Sequence, residues 1–274
     1  MIASKLVNTL PSAVESIERE AWIDLYKAAP SSVKKALGLR SALLGDTPVL
    51  AGPGIPISEF NRAFVIDDAT RPDLEGAVKF LRENAVPDFA LQIAAKGETS
   101  DVRNWAVARG FSPHGNGWSK MARDLAATVP DSARHNEALE LITDPDCGVY
   151  GETVVRSFGL PESTIEWFAA LVRRPGWITV VAKLGGEAVG SAALYVRGEW
   201  AWFGIGGTVD SARRQGIQST LIRERVNLAR MLGVRYLTAE TGRPEQPYGP
   251  HTSRDNLLRS GFTEIYCRSN YKTL

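Results

Sequence analysis

Between Trp200 and Leu232 the hydrophobic pattern changes from that of a strand to that of a helix, with only a short polar loop between them. The helical part carries apolar residues on one side and charged residues on the other. Gly233 is a typical helix end, and Arg235–Thr241 returns to a strand pattern. A strand–helix–strand crossover of this length favours parallel pairing of its two strands.

An antiparallel meander precedes this crossover. Glycine-containing turns separate three strand patterns, Trp177–Ala182, Ala188–Val196 and Trp200–Val209. The apolar spacing of Thr164–Arg174 predicts a helix before them. After the crossover, Ser253–Ser260 predicts a short helix and Phe262–Lys272 a closing strand or hairpin. The fold class is therefore α/β, with a mixed antiparallel/parallel central sheet flanked by helices.

The N-terminal half repeats this order more weakly. Its strand, helix, strand and helix patterns are Asn61–Asp67, Pro72–Asn84, Phe89–Ala95 and Asp101–Arg109. Both halves end a charged helix at Gly-Phe, at Gly110-Phe111 and at Gly261-Phe262. Since 274 residues also exceed the usual size of one domain, we expect two tandem domains of one fold, 1–127 and 128–274.

Composition excludes several classes of protein. A net charge of +1 without a long basic run gives no reason to expect nucleic acid as a partner. The first 29 residues have the pattern of an amphipathic helix, and no stretch is apolar enough to span a bilayer, so we expect a cytoplasmic protein without a membrane partner. Cys147 and Cys267 lie 120 positions apart, which predicts two buried thiols and no metal site.

The loop between strand and helix is the most informative segment. The first turn of a helix has N–H groups without intrahelical partners and a partial positive charge, which suits a pyrophosphate. Gly216 allows close approach of the backbone, and Arg213 and Arg214 add charge-assisted contacts. Alternatively, these residues are only the polar residues that any turn between a strand and a helix requires. There is no GxxxxGK(S/T) motif, and Gly204–Gly207 lies within a strand instead of following one.

This segment resembles motif A of the GCN5-related N-acetyltransferases, R/Q-x-x-G-x-G/A. Arg213 and Gly216 match it, whereas Gln218 stands where the family usually has Gly or Ala. The helix that begins near Ser253 and ends at Gly261-Phe262 is similar to the family's fourth helix. The order of strands and helices agrees from about residue 135 to 274.

The resemblance implies an N-acetyltransferase with acetyl-coenzyme A as cosubstrate and a primary amine of a small molecule or peptide as acceptor. Strand residues would pair with the pantetheine arm, loop residues would hold the pyrophosphate, and residues of the later helix would reach the pantetheine or thiol end. The strand residues are Gly207, Thr208 and Val209, and the residues of the later helix are Ser253 and Asn256. The loop residues are Arg213, Arg214, Gln215, Gly216, Ile217, Gln218, Ser219 and Thr220.

The catalytic groups of the family match less well. The family often uses a glutamate near its third or fourth strand as base and a tyrosine on its last helix as acid. Here Trp200–Val209 holds no acidic residue, and Leu257 stands at the tyrosine position. The candidates by position are Glu240 as base and Tyr248 and His251 as donor or base. Tyr266 and Tyr271 on the closing strands are further, weaker candidates. An enzyme that relies on proximity and a backbone oxyanion contact is the alternative.

The N-terminal half lacks the loop. Three acids, Asp67, Asp68 and Asp73, stand where a phosphate would bind, and like charge opposes it. We expect this half to shape the acceptor site or a subunit contact, which leaves a homodimer open.

Two competing functions remain: a non-catalytic acyl-coenzyme A sensor or interaction module, and a nucleotide-binding protein of another fold. Tryptophans that would line an acceptor pocket or, more simply, pack in the core are Trp167, Trp177, Trp200 and Trp202.

Overall fold

The computed structural model describes residues 2–68, 73–94, 100–127, 133–244 and 252–273, with side chains from residue 13 onward. Its helices are α1 Ile2–Ala28, α2 Ser31–Leu37, α3 Leu74–Asn84, α4 Asp101–Ala108, α5 Cys147–Phe158, α6 Ile165–Ala169, α7 Ile217–Met231 and α8 Thr252–Arg259. Its strands are β1 Arg40–Leu44, β2 Thr47–Ala51, β3 Arg62–Ile66, β4 Ala90–Ile93, β5 Phe111–Asp124, β6 Glu140–Thr143, β7 Trp177–Leu184, β8 Glu187–Arg197, β9 Trp200–Thr208, β10 Tyr236–Gly242 and β11 Thr263–Thr273.

All the described strands belong to one sheet, in the order β1-β2-β3-β4-β11-β5-β10-β9-β8-β7-β6. Within it, β3 with β4 and β9 with β10 pair in parallel, and the other neighbours are antiparallel. A crossover helix, α3 or α7, joins the two strands of each parallel pair. The predicted fold class, a mixed sheet flanked by helices, is confirmed.

The last strand of each half lies beside the parallel pair of the other half. β5, from the N-terminal half, pairs with β10, while β11, from the C-terminal half, pairs with β4. β5 and β11 also pair with each other along most of their lengths. Each half therefore completes the sheet of the other. The boundary between 127 and 128 stays a prediction, and residues 128–132 lie outside the described part.

Helices cover both faces of the sheet. Val181 points into a core with α1, α5 and α6, whereas its neighbours Val180 and Ala182 point into a second core with α7, as the alternation of a strand requires. The first of these cores joins the halves. The indole N–H of Trp167 donates to the carbonyl of Leu25 on α1 at 2.7 Å.

Several elements differ from expectation. The sequence analysis did not predict α2, β1, β2, β6 or α5. The predicted helix Thr164–Arg174 is only α6, preceded by a 3₁₀ turn at Glu162–Thr164. The closing segment is one long strand, not a hairpin. Both cysteines are free, but neither is buried as predicted: Cys147 is exposed and Cys267 is half-buried. The amphipathic N-terminal helix is confirmed as α1. None of the described helices is long and apolar enough to cross a bilayer.

Candidate active site

The parallel strands β9 and β10 separate at a defined point. They pair from Trp200 and Tyr236 as far as Phe203 and Ala239. Beyond that point β10 follows β5 to Gly242, and β9 follows β8 to Thr208. The described residues thus leave a gap between two neighbouring strands, where the backbone edge of β9 is free to pair with an extended ligand.

A bulge in β9 lies at the start of this gap. The register between β8 and β9 shifts between Ser191 and Ala193, and Ile205 has a φ of 50°. A β-branched residue in the left-handed region is strained, and such strain is common at functional sites. Gly207 follows the bulge, where a Cβ would come within 2.8 Å of the Phe158 ring. A side chain at Gly207 would therefore push α5 away from the gap.

Arg225 lies against the bulge from α7. Its Nη1 donates to the carbonyls of Ala193 at 3.2 Å and Gly204 at 3.3 Å, which form the last regular pair before the register shift. Its guanidinium carbon lies 4.3 Å from the centroid of the Phe203 ring. Among the described residues no carboxylate pairs with Arg225. Burial lowers the pKa of Arg225 to about 9, so the side chain remains cationic near neutral pH. Arg225 is thus a buried positive charge that no described residue neutralises.

The helix that follows the gap begins without a cap. Gly216 has a φ of 76° at its N-cap position, and within the described chain no side chain caps the first turn and no acid stands in it. By contrast, Asp146 caps α5 by accepting from the amide of Val149 at 3.1 Å. The open N–H groups of α7 and the exposed Arg213 and Arg214 beside them suit an anion.

The first turn of α7 is linked to α8. Gln218 accepts from Asn256 Nδ2 at 2.7 Å and lies 3.3 Å from the hydroxyl of Ser253. The residue that departs from motif A therefore contacts two other residues predicted for the same site. Thr220 is already engaged, because its hydroxyl donates to the carbonyl of Gly216 and accepts from the amide of Asn136, each at 2.9 Å.

A cavity of about 520 Å³ passes through the gap. Consecutive residues of single strands line it, Trp202 with Phe203 and Ala239 with Glu240, so it crosses the sheet from one face to the other. On the α7 and α8 side its walls include Gln218, Ile222, Arg225, Ser253 and Leu257. On the opposite side they come from both halves and include Trp22, Glu59, Phe60, Trp118, Phe158 and Phe168.

The N-terminal half has the same bulge but no such gap among its described residues. Val65 in β3 has a φ of 59°, matching Ile205 in β9. Beyond it, Ile66 still pairs with Ile93, and its carbonyl accepts from the amide of Ala94 at 2.8 Å. Asp68 accepts from the amide of Val102 at 2.9 Å. The closed edge agrees with the expectation that this half does not bind a coenzyme. Of its predicted acidic segment, residues 69–72 lie outside the described part.

Comparison with known proteins supports the fold. No protein-family model and no curated protein matches the sequence. A GCN5-related N-acetyltransferase from Sphaerobacter thermophilus is similar with a TM-score of 0.57 and 16% identity, covering 82% of this chain and 79% of that chain. One from Kribbella flavida gives a TM-score of 0.55 and 14% identity over 85% and 88%. The chain has the fold of the GCN5-related N-acetyltransferases.

A third solved structure bears on the tandem arrangement. It is described as a tandem GNAT protein from the clavulanic acid biosynthesis pathway, with a TM-score of 0.53 and 14% identity over 77% of this chain and 74% of that chain. At such identities the likeness is one of fold. It extends over most of this chain, as expected if both halves have a GNAT-like architecture.

The predicted catalytic residues differ in whether they lie at the cavity. Glu240 lines the cavity, but its two oxygens accept from Arg62 at 2.9 Å and Arg268 at 2.6 Å. Tyr248 and His251 lie outside the described residues. The weaker candidate Tyr266 donates to Glu15, and burial raises its pKa well above 10. Neither Tyr266 nor Tyr271 lines the cavity.

The tryptophans divide between core and cavity. Trp167 and Trp177 are buried and donate to Leu25 and Asp24 of α1, and Trp200 stacks on Tyr236 at 4.7 Å. Trp202 lines the cavity.

The cavity wall includes residues that sequence reasoning did not predict for a site, among them Trp22, Glu59, Trp118 and Arg225. Only Arg225 had a local signal, since it lies on the apolar stripe of its helix, four residues after Leu221. The other three come from the N-terminal half and reach the cavity through long-range packing.

Replacing Gly216 by Val is expected to weaken acetyl-coenzyme A binding on the order of tenfold or more, as measured by calorimetry. A Cβ at Gly216 would lie 3.2–3.3 Å from the backbone of residues 134–136, in addition to the positive φ. Gly198→Val is the control, because Gly198 has a similar φ of 56° but open space around it, at the opposite end of β9. Unchanged affinity in a folded Gly216→Val protein would contradict the loop assignment.

Proposed function

We propose that this protein is an N-acetyltransferase that moves an acetyl group from acetyl-coenzyme A to a primary amine. The observation that carries the proposal is the gap between β9 and β10, which opens directly ahead of the uncapped N-terminus of α7. An extended arm beside β9 and a phosphate group at the helix start would then belong to one ligand. When bound, acetyl-coenzyme A supplies a thioester as the acyl donor.

The chain's own groups fit such a ligand. The amides of Gln215 to Thr220 and the side chains of Arg213 and Arg214 would hold the pyrophosphate. Val209 donates its amide to Val189 on β8, so by strand alternation the polar backbone groups of Thr208 face the gap. Those groups would pair with the pantetheine arm, and Ser253 with Gln218 would contact it from the other side of the gap.

Two features serve the chemistry. Arg225 would stabilise negative charge that develops on the acyl oxygen, because it is a buried cation and charges interact strongly away from water. The aromatic wall on the opposite side would keep water from the thioester and so limit its hydrolysis. A base is still required for a protonated amine, whose pKa is about 10.4 for a lysine-like group.

The test is ligand binding followed by turnover. Calorimetry with acetyl-coenzyme A, ATP and NAD should give binding of the first alone, and coenzyme release should then appear with amines from a panel. Binding of ATP or NAD without acetyl-coenzyme A would overturn the proposal and support a nucleotide-binding protein.

A non-catalytic acyl-coenzyme A sensor is the second candidate. The occupied oxygens of Glu240 and the apolar Leu257 at the tyrosine position favour it. A sensor should bind acetyl-coenzyme A and release no coenzyme with any amine. Turnover with one primary amine would eliminate it.

A further inference from the structure

The side of the cavity opposite α7 and α8 is rich in aromatic side chains. Its six aromatic side chains come from α1, α5, α6, β5, β9 and the turn before β3: Trp22, Phe158, Phe168, Trp118, Trp202 and Phe60. Trp22 lies with its ring centroid 5.9 Å from those of both Phe60 and Trp202. Walls of this kind bind a flat apolar group by stacking and edge contacts, and they attract a cation near the ring faces.

The cavity has the dimensions of a small-molecule site. About 520 Å³ lies within the range of roughly 300–1,000 Å³ that is usual for small ligands. Three ionisable side chains line it in the described chain: Arg225 on the α7 side, and Glu59 and Glu240 on the aromatic side. A cationic amine would therefore meet its carboxylate on the aromatic side.

Of the two carboxylates only Glu59 is available. Glu240 is bound by Arg62 and Arg268, both fully buried. Glu59 is half-buried in the 3₁₀ turn Ser58–Phe60, and no described residue forms an ion pair with it. The turn is held in place, because Tyr26 on α1 donates its hydroxyl to the carbonyl of Phe60 at 2.7 Å. Within the described part of the N-terminal half, Glu59 is thus a carboxylate without an ion-pair partner, on a fixed backbone at the edge of the aromatic wall.

We propose that the acceptor is a small aromatic amine and that Glu59 binds its ammonium group and takes its proton. This inference rests on the proposed function. The ammonium gives one proton to the Glu59 carboxylate, which later releases it to solvent. The neutral nitrogen then forms a C–N bond at the acetyl carbon, the C–S bond breaks, and a second nitrogen proton ends on the sulfur. The products are the N-acetylated amine and the free thiol of coenzyme A.

The first experiment compares acceptors with the whole protein. With 2-phenylethylamine, kcat/KM for coenzyme release is expected to exceed that for ethanolamine or spermidine by about 100-fold, because only the aromatic amine buries a ring in the cavity. Equal or better use of the two polar amines would overturn the proposal while leaving the acetyltransferase function standing. Failure to bind acetyl-coenzyme A would overturn both.

The second experiment tests the carboxylate. Glu59→Gln is expected to lower kcat with 2-phenylethylamine by about 100-fold or more, with the Kd for acetyl-coenzyme A unchanged. Glu162→Gln is the matched control, because Glu162 is the exposed carboxylate of another 3₁₀ turn and does not line the cavity. Its kcat should stay within about twofold of the wild type.

A weakly basic acceptor separates proton removal from general damage to the site. Aniline is neutral near pH 7 and has no ammonium proton to lose, so Glu59→Gln should reduce its acetylation by less than about tenfold. A kcat with 2-phenylethylamine near that of the wild type would overturn the role of Glu59. So would an equal loss with both amines.

Discussion

Replacing Glu18 by Gln is expected to lower the free energy of unfolding by about 3–5 kcal/mol. Glu18 is fully buried and accepts from Lys120 and from Arg268. The cluster around it balances three acids against three bases: Glu15, Glu18, Glu240, Arg62, Lys120 and Arg268. A neutral amide would leave the cations without one counter-charge in a place that water does not reach.

Denaturant unfolding of the wild type and of Glu18→Gln measures this loss of stability. Glu20→Gln is the matched control from the same helix, since Glu20 pairs with Arg197 where both side chains are partly exposed. Surface pairs of that kind contribute at most about 1 kcal/mol. A Glu18→Gln protein as stable as the Glu20→Gln protein would show that the cluster contributes little to stability.

The same carboxylate should govern acid stability. Burial alone would raise the pKa of Glu18, but Arg268, Lys120 and Arg62 outweigh burial and lower it from 4.5 to about 2. The unfolded chain therefore binds this proton more readily than the native protein does. The contribution of Glu18 is present above about pH 4.5 and is lost as pH falls towards 2. Unfolding free energies measured across that window should fall less steeply in Glu18→Gln than in the wild type.

The second large effect concerns the C-terminal half on its own. A fragment of residues 133–274 is expected not to fold as a monomer, although it contains the whole proposed coenzyme site. In the full chain β10 pairs with β5 from Tyr236 to Gly242, and β11 lies between β4 and β5. The fragment loses all of these partners, which exposes one edge of β10 and both edges of β11. It also loses α1, which packs against Trp167 and pairs with Arg174 through Asp24.

Circular dichroism and size-exclusion chromatography of the fragment test this expectation. The control is the complete chain cut between β5 and β6, whose two pieces should remain associated and bind acetyl-coenzyme A. A fragment that unfolds cooperatively as a monomer would show that the exchanged strands are dispensable.

Local patterns predicted much of the C-terminal half. The change of hydrophobic period located β9, α7 and β10 to within a residue or two, and Gly261 marked the end of α8. These elements are specified by neighbouring residues. The free strand edge for the pantetheine arm was expected only through the resemblance. The bulge was not predicted, because Ile205 carries no residue preference for a positive φ.

Features that depend on contacts between distant residues could not be predicted from local sequence patterns. Glu240 was placed correctly near the end of β10, but its ion pair with Arg62 spans 178 positions. The exchange of β5 and β11 leaves no local trace either, because each strand has an ordinary pattern whichever partner it meets. The aromatic wall could not be predicted for the same reason, because Trp22 and Trp118 line the cavity with Trp202 only when both halves are joined.

The exchanged strands also set an order of events during synthesis. β4 lacks one neighbour until β11 is made, and β11 is the last described strand to leave the ribosome. The N-terminal half therefore cannot close its sheet while it is being translated, although domains commonly fold as they emerge. During that time the edges of β4 and β5 are open to other chains. Folding of this protein should depend on chaperones that shield those edges more than folding of two independent domains would.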